Sequence, residues 1–201
     1  FYQLALTAGV AFHASAVGTS RVVLLSDGQG GTDHLRGVES VGIGGTAFGD
    51  TLTGGRGDDS ISAGAGNDLL YGGDGDDLLT GGSGLDRLDG GAGMDRAGYW
   101  IESAGTIDAS LFLSSGSISI GGVVTTEEIA GIEGVSLGGS VGDDTVIGTA
   151  GDDFLDGHYG SDEIRGGDGV DTAYLFLYDL SSGGIVFDGS QLASEEGYVF
   201  T

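Results

Sequence analysis

Gly72-Gly73-Asp74-Gly75-Asp76-Asp77-Leu78-Leu79-Thr80 runs directly into Gly81-Gly82-Ser83-Gly84-Leu85-Asp86-Arg87-Leu88-Asp89. The two nonapeptides share a frame: glycine at positions one, two and four, Asp at six, an apolar residue at eight. Read outward, the frame holds for six consecutive units from Gly45 to Gly98 and for four more from Gly139 to Tyr174. Position six is Asp throughout: Asp50, Asp59, Asp68, Asp77, Asp86, Asp95, Asp144, Asp153, Asp162 and Asp171. Position eight is Leu52, Ile61, Leu70, Leu79, Leu88, Ala97, Val146, Leu155, Ile164 and Ala173. A strict period with one carboxylate and one apolar residue per unit predicts a solenoid, with a cation between stacked turns.

The rest of the composition fits a conditional fold. The chain has 201 residues, 45 Gly, no Pro and no Cys; its 31 acids face 6 basic residues, all Arg, for a net charge of −25. Such charge with so much glycine opposes folding unless the carboxylates are neutralised. It argues against nucleic acid as a partner, since phosphate recognition needs clustered Lys and Arg. Anionic membranes are disfavoured for the same reason. Without Cys there is no disulfide or thiolate chemistry. No apolar run approaches the ~18 residues of a spanning helix, so membrane insertion is not expected. The chain starts at Phe1 inside a strand-like stretch and reads as a piece of a larger protein.

A longer repeat overlies the short one. Gly37-Val38-Glu39-Ser40-Val41-Gly42-Ile43-Gly44-Gly45-Thr46 recurs 94 residues later as Gly131-Ile132-Glu133-Gly134-Val135-Ser136-Leu137-Gly138-Gly139-Ser140. Gly28 to Arg36 is a degenerate unit with Asp33 at position six, and its copy, Gly122 to Ala130, has Glu127 there. The expected organisation is therefore a β-rich insert (1–44), a first repeat block (45–98), a second insert (99–138), a second block (139–174) and the start of a third insert or cap (175–201). Within the second insert, 106–113 and 117–120 alternate in the manner of strands, and Gly121-Gly122 suits a two-residue hairpin. Thr125-x-x-Glu128 resembles a helix capping box, but Gly131 and Gly134 favour β structure. Tyr99-Trp100 and Tyr174-Leu175-Phe176 follow each block as expected end caps.

The repeat chemistry points to calcium. Glycines at the start of each unit permit tight turns whose carbonyls face inward. Two units make one coil, so position six recurs along an edge every 18 residues. This places Asp50 beside Asp68, Asp59 beside Asp77, Asp68 beside Asp86, Asp77 beside Asp95, Asp144 beside Asp162, and Asp153 beside Asp171. Unscreened, each such pair at ~4 Å costs ~1–4 kcal/mol. Calcium takes six to eight hard oxygens, which two Asp and turn carbonyls supply, whereas magnesium demands tighter octahedral geometry and zinc prefers His or Cys. The expected ligands are the ten Asp together with the carbonyls of Gly54, Gly72, Gly81, Gly90, Gly148, Gly157 and Gly166. Pairing units n and n+2 gives about six calcium sites, with extras where Asp33 or Glu127 continues a column. By this count Asp77 lies between two partners and Asp95 ends its ladder. The polar position-five residues Asp58, Asn67, Asp76, Asp143 and Asp152 ligate directly or support the ligands. Binding and folding are then one event.

The ten units resemble the RTX (repeats-in-toxin) nonapeptides of secreted bacterial proteins. The resemblance implies an all-β, right-handed parallel β-roll in two calcium-binding blocks, exported unfolded by a one-step secretion machine and folded outside the cell. Some positions depart from the frame: Phe48 at position four, Ala63 at position one, and Thr46, Ser140, Thr149 and His158 at position two. The family names a module and not an activity. The expected role is a calcium-dependent structural segment of a large secreted or surface-attached protein, of adhesin, stalk or surface-layer type. Self-association or surface attachment is its expected partnership besides calcium. Two alternatives are a carrier module of a secreted hydrolase, protease or lipase, and a polysaccharide-binding module. No catalytic residues are expected in this stretch. His13, His34 and His158 lack a nucleophile at useful spacing, and Glu127-Glu128 and Glu195-Glu196 read as solvated acidic pairs. Arg56, Arg87 and Arg96 are expected in local ion pairs of small value.

Overall fold

The computed structural model describes residues 40–101 and 105–174, together with the strands Ala11–His13, Val23–Ser26 and Thr32–Leu35. Side chains of those three strands, including His13, Asp33 and His34, and the expected residues Leu175, Phe176, Glu195 and Glu196 lie outside the described residues.

The last three residues of each unit are extended, and strand geometry sends position eight to one face and its neighbours to the other. The glycine-rich start of the next unit then turns the chain. Two strands complete a coil, and coils stack in parallel with an 18-residue register: Leu52 opposes Leu70, and Leu70 opposes Leu88. One face of the resulting roll is a 7-stranded sheet with one strand per coil, from Gly42–Gly44 through Ser60–Ala65, Leu78–Ser83, Arg96–Trp100, Gly134–Gly138 and Phe154–Asp156 to Thr172–Tyr174. The facing side is divided. A 5-stranded sheet carries Ala11–His13, Thr51–Thr53, Leu69–Asp74, Arg87–Ala92 and Glu128–Ala130. A second 5-stranded sheet holds Thr106–Asp108, Thr145–Ile147 and Glu163–Arg165, flanked by the hairpin Ser117–Ile120 and Val123–Thr126. Position eight fills a single core: Leu52, Ile61, Leu70, Leu79, Leu88, Ala97, Val146 and Leu155 are buried. Each of the larger side chains contributes ~1.5–3 kcal/mol. Ile164 is half-buried and Ala173 is exposed, so the last units depart from this pattern.

The insert joins the roll directly. Its strand Gly134–Gly138 pairs on one side with Arg96–Trp100 and on the other with Phe154–Asp156. The register steps by one pleat there. Val135 opposes the position-eight Ala97, whereas the position-eight Leu155 opposes Leu137. Gly121 and Gly122 have φ of 59° and 81° and close the antiparallel hairpin, as a two-residue primed turn requires. The Thr125–Glu128 region is strand on both sides of Glu127.

Two expectations need correction. The alternating stretch 106–113 is a strand only over Thr106–Asp108; a one-turn helix, Phe112–Ser115, follows. The Asp108 carboxylate accepts the Ser110 N–H at 2.9 Å and turns the chain out of the sheet. The end cap is also different: Trp100 and Tyr174 are exposed. Buried Tyr99 instead meets the fully buried Phe112 edge to face, with ring centroids 5.6 Å apart.

Candidate metal centre

The ten repeat Asp form four ladders. In each, the backbone N–H of one Asp donates to the Oδ1 of the Asp one coil later. Asp50 reaches Asp68 at 2.7 Å, Asp59 reaches Asp77 at 2.7 Å, Asp68 reaches Asp86 at 2.9 Å and Asp77 reaches Asp95 at 2.8 Å. In the second block, Asp144 reaches Asp162 at 3.0 Å and Asp153 reaches Asp171 at 3.1 Å. The structure therefore brings together every pair expected from the 18-residue spacing. All four ladders touch the insert or the repeated stretch preceding the first block. Val41, Val135 and Gly105 donate N–H groups to Asp59, Asp153 and Asp144. Glu127 Oε2 accepts from Asp86 at 2.7 Å and Glu133 Oε2 from Asp95 at 2.9 Å. Glu127 is buried, and only its neighbour Glu128 is solvated. Asp95 is thus not the end of its ladder, because Glu133 continues it.

The turns take two forms. In the first coil of each block, the position-two N–H closes onto the unit's own Asp Oδ2. Thr46, Ser140 and Thr149 donate to Asp50, Asp144 and Asp153 at 2.6, 2.6 and 2.5 Å, and Gly55 donates to Asp59 at 2.5 Å. Where position two is an alcohol, its hydroxyl adds a bond to the same carboxylate and accepts the N–H two residues on. Later turns of the first block open. Gly73 and Gly75 there have φ of 124° and 120°, a region closed to L side chains. In these open turns Oδ2 of Asp68, Asp77, Asp86 and Asp95 is buried and has no hydrogen-bond partner. His158 occupies the same place at φ 66°, the one non-glycine residue with positive φ among those described.

A buried carboxylate oxygen without a partner costs roughly 1–3 kcal/mol or more. Burial, opposed in part by the ladder hydrogen bonds, raises the carboxyls of Asp68, Asp86, Asp95, Asp153 and Asp171 above the ordinary range. Asp77 is pushed up to about 7, mainly by burial, with Asp95 and Asp59 adding repulsion. Glu127 is also pushed up to about 7, chiefly by burial, with Asp86 adding repulsion.

Carbonyls complete the arrangement. A Cβ on Gly72 would overlap both its own unit's Asp77 Oδ2 and the Gly90 carbonyl of the next coil. Ala63, Gly72, Gly131, Gly157 and Gly166 set their carbonyls in the same way beside Asp50, Asp59, Asp95, Asp144 and Asp153. Gly54, Gly81 and Gly148 provide the cradle that holds Asp59, Asp86 and Asp153. Among the described residues, no three His, Cys, Asp or Glu side chains gather at one point. Paired carboxylates and backbone oxygens are a hard-oxygen set of the kind that suits calcium.

The position-five residues form a second, outer ladder of opposite polarity. Side chains of Asp58, Asn67, Asp76, Asp143 and Asp152 accept the N–H of Asp76, Leu85, Met94, Ser161 and Val170 one coil later. Of the arginines, Arg87 pairs with Glu128, Arg165 with Glu163, and Arg96 donates to the Asp152 carbonyl at 3.2 Å. Glu133 was missed from the sequence; its recurrence as Glu39 in the longer repeat was the available signal.

Residues 44–79, 64–96 and 138–173 match the family model of the RTX calcium-binding nonapeptide repeat. Both runs are RTX calcium-binding repeats. Repeats of this family bind calcium, and the two matched runs build the parallel β-roll. A search of curated proteins found no match. No helix among the described residues is long and apolar enough to cross a membrane.

Proposed function

We propose that this RTX module is a calcium-triggered structural segment, disordered and anionic at low calcium and a stiff roll at high calcium, within a secreted or surface-attached protein. The observation that carries the reading is the set of unpartnered, buried Oδ2 atoms on Asp68, Asp77, Asp86 and Asp95. They belong to the coils that stack most regularly, so buried carboxylate oxygens go unpaired where the repeat is strongest. Bound calcium supplies positive charge and accepts six to eight oxygen ligands. The residues that would hold it are the ten ladder Asp with the position-one carbonyls, giving about six inter-coil sites from the Asp pairs alone. The outside of the cell fits, because weak calcium modules operate where calcium is near millimolar.

Circular dichroism of the metal-free chain during calcium and magnesium titrations tests this. β signal is expected to grow cooperatively with calcium, to respond weakly to magnesium and to vanish on chelation. An unchanged spectrum and melting curve in excess chelator would refute the switch.

A further inference from the structure

Glu127 and Glu133 stand in the insert, outside the ten regular nonapeptides; Glu127 is position six of the degenerate unit Gly122–Ala130, and both take that place in one further coil. The backbone equivalence is close. Arg87 N–H donates to the Asp68 carbonyl at 2.8 Å, and Glu128 N–H donates to the Asp86 carbonyl at 2.9 Å. Arg96 N–H donates to the Asp77 carbonyl at 2.8 Å, whereas the Asp95 carbonyl is shared, accepting from Gly134 N–H at 3.3 Å and from Glu133 N–H at 3.0 Å. The residues before Arg87 and Arg96 are Asp86 and Asp95 in the block, and those before Glu128 and Gly134 are Glu127 and Glu133 in the insert. The Gly131 carbonyl lies against Gly90 beside Asp95, as the Gly90 carbonyl lies against Gly72 beside Asp77. The two Glu are only 6 residues apart where the repeat spaces its Asp by 9. The extra methylene of Glu lengthens the reach from that shorter turn.

A second observation marks these as ligand positions. Asp86 and Asp95 are 3% and 0% exposed, and the Oδ2 of each lacks a partner. The buried Tyr99 hydroxyl, also without a partner, lies within electrostatic reach of Glu127 and Asp86.

We propose that Asp86 with Glu127, and Asp95 with Glu133, form two further calcium sites that weld the insert onto the first block. The proposal rests on the calcium reading above. Its consequence is mechanical. Gly134–Gly138 pairs with both Arg96–Trp100 and Phe154–Asp156, so an ion at Glu133 fastens the strand that links the two blocks.

The test uses the full chain, calcium as the only probe, and E127Q, E133Q and the control E128Q. Bound calcium is counted by equilibrium dialysis, and amide exchange of residues 134–138 is followed with and without calcium. E127Q and E133Q should each bind one ion fewer than the parent, and E133Q should lose calcium-dependent protection at 134–138. E128Q should match the parent. An unchanged count and unchanged protection in E127Q and E133Q would overturn the proposal. If a Gln variant fails to fold at any calcium concentration, E127D and E133D decide: weakened binding of one ion each supports the sites, and parental affinity overturns them. A parent chain that binds no calcium would instead sink the underlying reading.

Discussion

Thr149 replaces a glycine of the repeat frame, and the structure gives the replacement a task. Its hydroxyl donates to Asp153 Oδ1 at 2.9 Å and accepts the Gly151 N–H at 3.0 Å, within a buried turn. Ser140 and Thr46 act alike at the head of each block. Leading carboxylates are thus satisfied by protein donors, and the later ones of the first block are not. Thr149→Val keeps the shape but removes both bonds. It should cost about 1–3 kcal/mol, read from denaturant unfolding in saturating calcium; an unchanged midpoint contradicts the assigned role. In the sequence these alcohols register only as departures from consensus. Their function depends on the turn's backbone form, since the φ of 98° to 124° at position two of the open turns is closed to a Thr or Ser side chain.

The insert is best judged through Phe112. This ring is fully buried against Tyr99, and Ala109, three residues earlier, is buried with it. Phe112→Ala should destabilise the calcium-bound protein by ~3–5 kcal/mol, measured by the same denaturant unfolding. A loss below about 1 kcal/mol would mean that the insert is dispensable to the core. The hairpin over Ser117–Thr126 was legible, because alternation and a Gly-Gly pair are local signals. The helix was not. Apolar residues at 107, 109, 111 and 113 read as alternation, but Leu111 is exposed while Phe112 is buried. The Asp108–Ser110 hydrogen bond overrides the pattern and rotates the chain.

For the molecule as a whole, the raised carboxyls dictate a pH response. Asp77 and Glu127 rise from 3.8 and 4.5 to about 7 in the fold, and Asp68, Asp86, Asp95, Asp153 and Asp171 move the same way. The metal-free folded chain therefore holds protons that the unfolded chain has released. Its destabilisation is complete above about 7 and fades as pH falls toward 4, near the unfolded values. In chelator, β signal by circular dichroism should rise between pH 7.5 and 4.5 with no calcium added. A flat or falling signal would show that the carboxylates do not limit folding. The roll, its core column and its Asp ladders were readable in advance, because an 18-residue coil sets each residue against its own kind and periodicity alone specifies the neighbours. Of the ladder ends, Glu127 was legible as position six of a degenerate unit, and Glu133 was not. Glu133 meets Asp95 across 38 residues, and the one-pleat step between Arg96–Trp100 and Gly134–Gly138 follows no 18-residue spacing. Those contacts are fixed by how the insert packs Tyr99 and Phe112 into the shared core, a long-range balance of burial and chain closure that no local spacing encodes.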